Sequence, residues 1–302
     1  MKILVGILHC IENEFPDCLA ALRRQTHRNY DYFVLENLPN KEAHDTLYCR
    51  FMDSASSYDV FVKLDADMVL CREDLLARAA DRFKNSPQLD VLCIGVHDFF
   101  TDQMIDSLNV FRNTVSWRID SEKIFPDRGQ QAAGGVMYDH DDLAPAADHC
   151  PDPSPFQAFH FGVHKAVKVM QIGVHNKRRQ ASREHWGNLE RLRANYAARK
   201  DVRLGLALVG AEMAFHEKWG AGVLDYGSPI LKSYFDKVSA ATPAQVDWAL
   251  RARALRSFSF LPPPSRHQVL ERMVSPHLWH PSNCGVWRTL VGKVLRHPWR
   301  TS

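Results

Sequence analysis

The sequence predicts an α/β protein, a mostly parallel sheet flanked by helices, followed by a helical C-terminal extension. Three observations carry this expectation. Short apolar runs with almost no polar interruption recur four times in the first hundred residues. Between them apolar residues return at i, i+3, i+4 and i+7, the period of a helix with one buried face. The links are short and polar. Strands alternating with helices through short links imply a parallel sheet covered on both faces. A chain of 302 residues has room for one large domain or two small ones. The pattern assigns the α/β domain to residues 1–175 and a mainly helical region to 176–302.

Residues 2–9 read as a buried strand, with Ile3, Leu4, Val5, Ile7 and Leu8 nearly continuous. A polar stretch follows over 10–14. Phe15, Cys18, Leu19 and Leu22 then mark a helix with Pro16 near its start, where a missing N–H costs nothing. Tyr32 to Leu35 form a second strand, ending at Glu36 and the breaker run 37–40. Ala43, Leu47, Tyr48, Phe51, Met52 and Ala55 mark a second helix, and residues 59–64 a third strand. Leu75, Leu76, Ala79, Ala80 and Phe83 mark a third helix, and residues 90–96 a fourth strand. Residues 99–119 suit a helix or a strand pair. Residues 127–148, with three glycines and the acids Asp139, Asp141 and Asp142, have the composition of a long surface loop, either a lid or a solvated crossing. Helices are expected over 186–196, 204–219 and 239–257, before Pro262-Pro263-Pro264.

Composition narrows the class. The apolar content of 45% and charged content of 24% are those of a globular protein. Seven scattered cysteines with no C-x-x-C pair argue against a disulfide framework or a structural zinc site and suit a reducing compartment. The first residues are too polar for a signal peptide, and no run approaches 18 apolar residues, so a cytoplasmic location is expected. Charge is uneven. Residues 240–302 carry nine Arg or Lys against two acids, a balance of +7, which leaves −4 on the first 239. Near the end, Val286, Trp287, Leu290, Val291, Val294 and Leu295 share one helical face opposite Arg288, Lys293 and Arg296. Such a helix either lies on the inner face of a membrane through 285–302 or packs on its own domain. Unchanged liposome association after deletion of 285–302 would favour packing. No zinc-finger spacing or RNA-binding aromatic motif appears, so no nucleic-acid partner is expected.

Chemistry concentrates at Asp65 and Asp67, two carboxylates one residue apart at the end of the third apolar run. They repel each other and resist burial. The arrangement makes sense where a divalent cation bridges them to a polyphosphate. A turn that caps the next helix is the alternative. In open α/β sheets ligands sit beyond the carboxyl ends of the strands, and here those ends also carry Glu12 and Glu36. Lys63 shares a strand face with Asp65 and either approaches a nucleotide, steadies the carboxylates or snorkels at an edge. His149 stands at a Pro-rich turn. His160, His164 and Lys168 recur every four residues and line one helical face. Lys165 and Lys168 are candidates to neutralise phosphate or simply cover an exposed face.

The order of these features resembles the nucleotide-sugar glycosyltransferases of GT-A fold, a Rossmann-like architecture, and especially their large family-2-like group. The resemblance covers about the first 85 residues. It rests on the strand over 3–8 with Glu12-Asn13-Glu14, on Ala21-Leu22-Arg23-Arg24-Gln25-Thr26, on Asn29-Tyr30-Asp31 before the strand ending at Glu36-Asn37, and on Leu64-Asp65-Ala66-Asp67. It implies a sugar-nucleotide donor, UDP-linked by preference, and a glycan or lipid-linked acceptor in surface polysaccharide synthesis. It implies Mn²⁺ or Mg²⁺ held by Asp65 and Asp67, with a later histidine completing the shell. His149 is the first choice, and His160 and His164 are alternates. Donor contacts would come from His9, Glu12, Glu36, Lys63, Asp65 and Lys168. The chain departs from the inverting pattern in lacking a paired acid about a hundred residues beyond the metal motif. Glu212 is the nearest look-alike, and Asp98, Asp139, Asp141 and Asp142 are other candidates for a base, so retaining and inverting courses both stay open. Two other readings compete. A nucleotidyltransferase would place a Gly-rich loop after strand one, where residues 10–14 hold no glycine. A non-catalytic glycan- or lipid-binding module would have no need of Asp65 and Asp67.

Overall fold

The computed structural model describes residues 1–139, 142–174, 177–240 and 244–247. They fall into two compact units, one made of Met1–Gln157 with Asp225–Gly227, the other of Ala158–Leu224 and the described residues from Ser228 onward.

In the first unit β1 (Ile3–His9), α1 (Phe15–Arg23), β2 (Tyr30–Glu36), α2 (Asn40–Asp53) and β3 (Val60–Asp65) alternate as the sequence predicts. β1 pairs in parallel with both β2 and β3, Val5 standing opposite Tyr32 on one side and Val62 on the other. Alternate residues of a strand face opposite sides of the sheet. Ile3, Val5 and Ile7 therefore join Cys18, Ala21 and Leu22 of α1 in one core, with Val60, Val62 and Leu64. Leu4 and Phe61 join Leu47, Tyr48 and Phe51 of α2 in the other. Burial on both faces is why these strands read as unbroken apolar runs.

Two short segments follow, β4 (Met68–Leu70) and α3 (Leu75–Asn85), and then β5 (Leu89–Asp98). α3 adds Leu76, Ala79, Ala80 and Phe83 to the first core. Residues 99–119 form strands, β6 (Gln103–Arg112) and the two-residue β7 (Ser116–Trp117), rather than a helix. β6 returns antiparallel along β5 through a turn in which Asp102 takes a left-handed φ of 51°. It also pairs antiparallel with β3, so two of the three antiparallel pairings of the sheet belong to this strand. A tight hairpin permits no other direction.

The expected loop over 127–148 contains three short strands in its described residues. β8 (Gln130–Gln131) pairs with β7, and β9 (Gly135–Asp139) and β10 (Ala147–His149) both run parallel to β5. The backbone of a buried strand must find partners, and β5, buried at nine of its ten residues, draws these short strands to it. The sheet order is β2-β1-β3-β6-β5-β10-β4, with β9 also on β5. Four of its seven strand pairings are parallel.

The second unit is helical. It contains all but the first turn of α4 (Pro155–Met170), then α5 (Arg179–Arg199), α6 (Val202–Glu217) and α7 (Pro229–Asp236). α6 is buried nearly all round, and Asp201 caps it by accepting from the Arg203 N–H. α4 and α6 meet backbone to backbone. A Cβ on Gly162 would lie 1.7 Å from the Ala207 carbonyl oxygen, and one on Gly210 would lie 2.2 Å from that of Phe159. The helix expected over 239–257 is described only at 244–247, and the amphipathic segment 285–302 lies outside the described residues. No described helix is long and apolar enough to cross a membrane.

Gly162→Ala forces the α4 and α6 backbones apart, and overpacking of this kind costs about 1–3 kcal/mol. Urea unfolding should show a lowered midpoint. An unchanged midpoint would contradict the close contact.

Candidate functional site

Strand register assembles the site within the first unit. β3 ends at Asp65, the Ala66 N–H donates to the Leu8 carbonyl at 3.0 Å, and Asp67 forms the corner before β4. β4 runs antiparallel to β10 with Met68 opposite His149, and β10 runs parallel to β5 with His149 opposite Asp98. The Cys150 N–H closes the corner by donating to the Asp67 carbonyl at 2.7 Å. Four chemically active residues from three separate segments thus meet at one end of the sheet.

Their side chains are in contact. His149 Nε2 lies 3.4 Å from Asp67 Oδ2, and the Cys150 thiol donates to the same oxygen at 3.3 Å. His149 Nδ1 lies 2.6 Å from Asp98 Oδ1. Asp98 is only 1% exposed, and its Oδ2 accepts from the Thr101 N–H at 2.8 Å and the Thr101 hydroxyl at 2.6 Å. The histidine is therefore fixed by a carboxylate that is itself fixed, the arrangement that orients imidazoles toward metals. Burial opposes charge on His149, but the carboxylates of Asp67 and Asp98 outweigh it and hold the pKa well above the usual histidine value. Burial likewise works against the Asp67 carboxylate, and His149 outweighs it, holding Asp67 below the usual range. Burial, then the Asp67 charge, keeps Cys150 well above the usual thiol value.

Other acids crowd the same end of the sheet. Glu12 Oε2 accepts from the Cys10 N–H at 2.6 Å. Burial first, and the charge of Asp67 second, push its pKa up to about 7. Glu14 is buried, bridging the Gln157 side-chain amide at 2.8 Å and the Asp152 N–H at 3.2 Å, so it ties the loop after β1 to the turn after β10. Both Asp65 oxygens accept from the Lys63 ammonium at 2.7 Å. Lys63 is only 6% exposed, so it steadies the carboxylate and does not snorkel. Burial opposes its charge, and Asp65 and Asp127 more than compensate, raising its pKa. His9 stacks on Phe15 with ring centroids 3.8 Å apart, and its Nδ1 lies 3.7 Å from the exposed Glu36 carboxylate. Burial lowers the His9 pKa.

Among the described residues, one group of three potential metal donors lies within 4.8 Å of one another: Asp67, His149 and Cys150. Asp67 Oδ1 is buried with no hydrogen-bond partner. An orphaned carboxylate oxygen is costly, and a divalent cation is one species that would satisfy it. The donors present fit such an ion.

No family model matches the chain, and no curated protein matches it. Among solved structures, A197 from STIV aligns at 15% identity with a TM-score of 0.28. The alignment covers 37% of this chain and 65% of A197, slightly under two thirds of its length.

The structure separates the residues singled out in the sequence into two sets. Asp65, Asp67, Glu12, Lys63 and His149 come together, and His9 and Glu36 lie at the adjoining strand ends. Asp65 is not in the donor group, and both its oxygens accept from Lys63. His160, His164, Lys165, Lys168 and Glu212 belong to the second unit. There a ring nitrogen of His160 is engaged by the Leu224 carbonyl at 2.7 Å, which gives it a structural role. His164 stacks on His160 with centroids 5.8 Å apart, and burial followed by the Lys168 charge holds its pKa well below the usual value. Lys165 lies over the Phe161 ring, and Glu212 pairs with Arg193 at 3.2 Å. Asp139 is buried and anchors the turn that follows it. It pairs with Arg82 at 3.0 Å and accepts from the Asp142 and Leu143 N–H groups, while Asp142 pairs with Arg78 and Arg82. Asp141 lies outside the described residues. Sequence reasoning missed Cys150, whose one visible signal is adjacency to His149. It also missed Tyr226, which belongs to the first unit and feels the charges of Glu12 and Asp67, and for which the sequence offers no signal.

Asp98→Ala strands His149 Nδ1 and two donors of Thr101. Breaking a buried charged contact in this way costs about 3–5 kcal/mol, read as a large fall in the urea midpoint. A loss no greater than that of a surface substitution would show that Asp98 does not hold the site together.

Proposed function

We propose that this chain is a metal-dependent glycosyltransferase that moves a sugar from a nucleoside-diphosphate donor, UDP by preference, to a glycan or lipid-linked acceptor. The observation that carries the proposal is the position of Asp65-Ala66-Asp67. The motif stands at the carboxyl end of β3 beside β1 and β2, and His149 is brought onto Asp67 from 82 residues away. Ligands of open α/β sheets bind at this edge. The order of motifs over the first 85 residues supports the same reading.

The electrostatics explain why a cation would be needed. Glu12, Glu36, Asp65 and Asp67 crowd one end of the sheet, with Lys63 buried beneath them. A diphosphate approaching these carboxylates alone would be repelled. A divalent ion, Mn²⁺ or Mg²⁺ by resemblance, supplies Lewis-acid stabilisation of the charge that develops on the departing diphosphate. Asp67 and His149 would hold that ion, and Asp98 keeps the His149 ring in place. Lys63 fixes the orientation of Asp65, leaving that carboxylate to meet donor hydroxyls or metal-bound water. Tyr226 and His9 would border the donor. The six described cysteines form no disulfide with one another, which suits the cytoplasm or the inner face of a membrane, where glycan precursors for surface polysaccharide would be built.

A thermal-shift panel of UDP, GDP, CMP and dTDP, with and without Mn²⁺ or Co²⁺, tests the proposal. One diphosphate at about 100 times its Kd should stabilise the protein by about 2.7 kcal/mol, only with metal, and Asp67→Ala should abolish the effect. Stabilisation by none of them would refute the transferase reading.

A further inference from the structure

We propose that Cys150 is a metal ligand and that Asp67, His149 and Cys150 together form a three-donor face selective for a zinc-class cation over magnesium. The inference concerns the same pocket as the transferase reading. It rests on that reading only for what occupies the fourth coordination position.

The geometry of the three donor atoms carries the argument. Asp67 Oδ2 and His149 Nε2 are 3.4 Å apart, Asp67 Oδ2 and Cys150 Sγ 3.3 Å, and Cys150 Sγ and His149 Nε2 3.7 Å. Zinc bonds of about 2.0 Å to oxygen and nitrogen and about 2.3 Å to sulfur, at tetrahedral angles, give edges of about 3.3–3.6 Å. An octahedral magnesium shell at about 2.0–2.1 Å gives adjacent oxygens about 2.9 Å apart. The observed triangle matches a tetrahedral face and is too wide for the octahedral one. Its composition agrees, since imidazole and thiolate favour zinc-class ions and magnesium takes oxygen.

Three features hold the triangle in shape. Asp98 and Thr101 fix the His149 ring. The Cys150 N–H is bonded to the Asp67 carbonyl, locking the two backbones together. Cys150 also adopts a left-handed φ of 51°, uncommon for a residue with a Cβ, in the conformation that leaves its sulfur against Asp67 and His149. The second Asp67 oxygen, buried and without a hydrogen-bond partner, gives the carboxylate further capacity. Three protein donors leave one tetrahedral position, as zinc sites that do chemistry do. Under the transferase reading it falls to a diphosphate oxygen of the donor. Cation binding breaks the Cys150 Sγ–H bond and the His149 Nε2–H bond, both protons leave to solvent, and the sulfur and Nε2 lone pairs make the new bonds.

The test uses the full chain, stripped of metal with a chelator and titrated with Co²⁺. The expected result is one Co²⁺ per chain with the strong visible bands of a four-coordinate ion and a near-ultraviolet sulfur-to-cobalt charge-transfer band. Zn²⁺ should displace the cobalt, and a large excess of Mg²⁺ should not. Cys150→Ser should remove the near-ultraviolet band with an unchanged circular dichroism spectrum. Asp98→Asn should keep the band and weaken Co²⁺ binding about 10–100-fold. Cobalt bound with only the weak visible bands of six-coordination and no charge-transfer band overturns the inference, and so does failure to bind Co²⁺ or Zn²⁺. The wild-type spectrum decides even if Cys150→Ser does not fold. UDP binding with Mn²⁺ on the same preparation separates the two readings. Nucleotide binding without the thiolate band sinks the ligand assignment and leaves the transferase standing, and the band without nucleotide binding does the reverse.

Discussion

Asp67 carries its carboxylate in a corner where only 17% of the side chain meets solvent, and that charge has to be compensated. The compensation comes from His149, which is held between Asp67 and Asp98. Desolvating either carboxylate alone would be unfavourable by several kcal/mol. Shared around one imidazole, with Thr101 satisfying the far side of Asp98, both are tolerated. The pairing in turn demands that β4, β10 and β5 keep a single register, because a slip of one residue would turn His149 to the other face. The chemistry of the site and the pairing of the sheet are thus one constraint.

The same logic runs through the neighbouring groups. Lys63 is buried, and Asp65 and Asp127 keep it charged. In return it orients the Asp65 carboxylate. Glu12 has the opposite fate. Burial first, and the Asp67 charge second, push its carboxyl up to about 7. An ion at Asp67 would invert this balance and favour ionised Glu12.

How much of this was legible in the sequence follows from burial and distance. β1 and β3 are buried on both faces, so their apolar runs were unmistakable, and with them the position of Asp65 and Asp67. The contact of Lys63 with Asp65 was also legible, because residues two apart share a strand face. β6 is exposed along its first half, and β9 and β10 have five and three residues, too short to show a period. Residues 99–119, which hold β6, therefore suit a helix or a strand pair, and 127–148, which hold β9 and most of β10, suit a loop. Asp98, His149 and Asp67 meet through the register of three strands, and no local spacing can encode that. His160 and His164 do share a helix face, but periodicity could not foresee that the Leu224 carbonyl would engage His160.

The most direct measurement is an anomalous-scattering map from crystals grown with Co²⁺ and UDP. The account predicts one cobalt peak in bonding contact with Asp67, His149 Nε2 and a diphosphate oxygen, at the carboxyl end of β3. A bound nucleotide with no cobalt at Asp67, or cobalt at Asp67 with the diphosphate elsewhere, would contradict it.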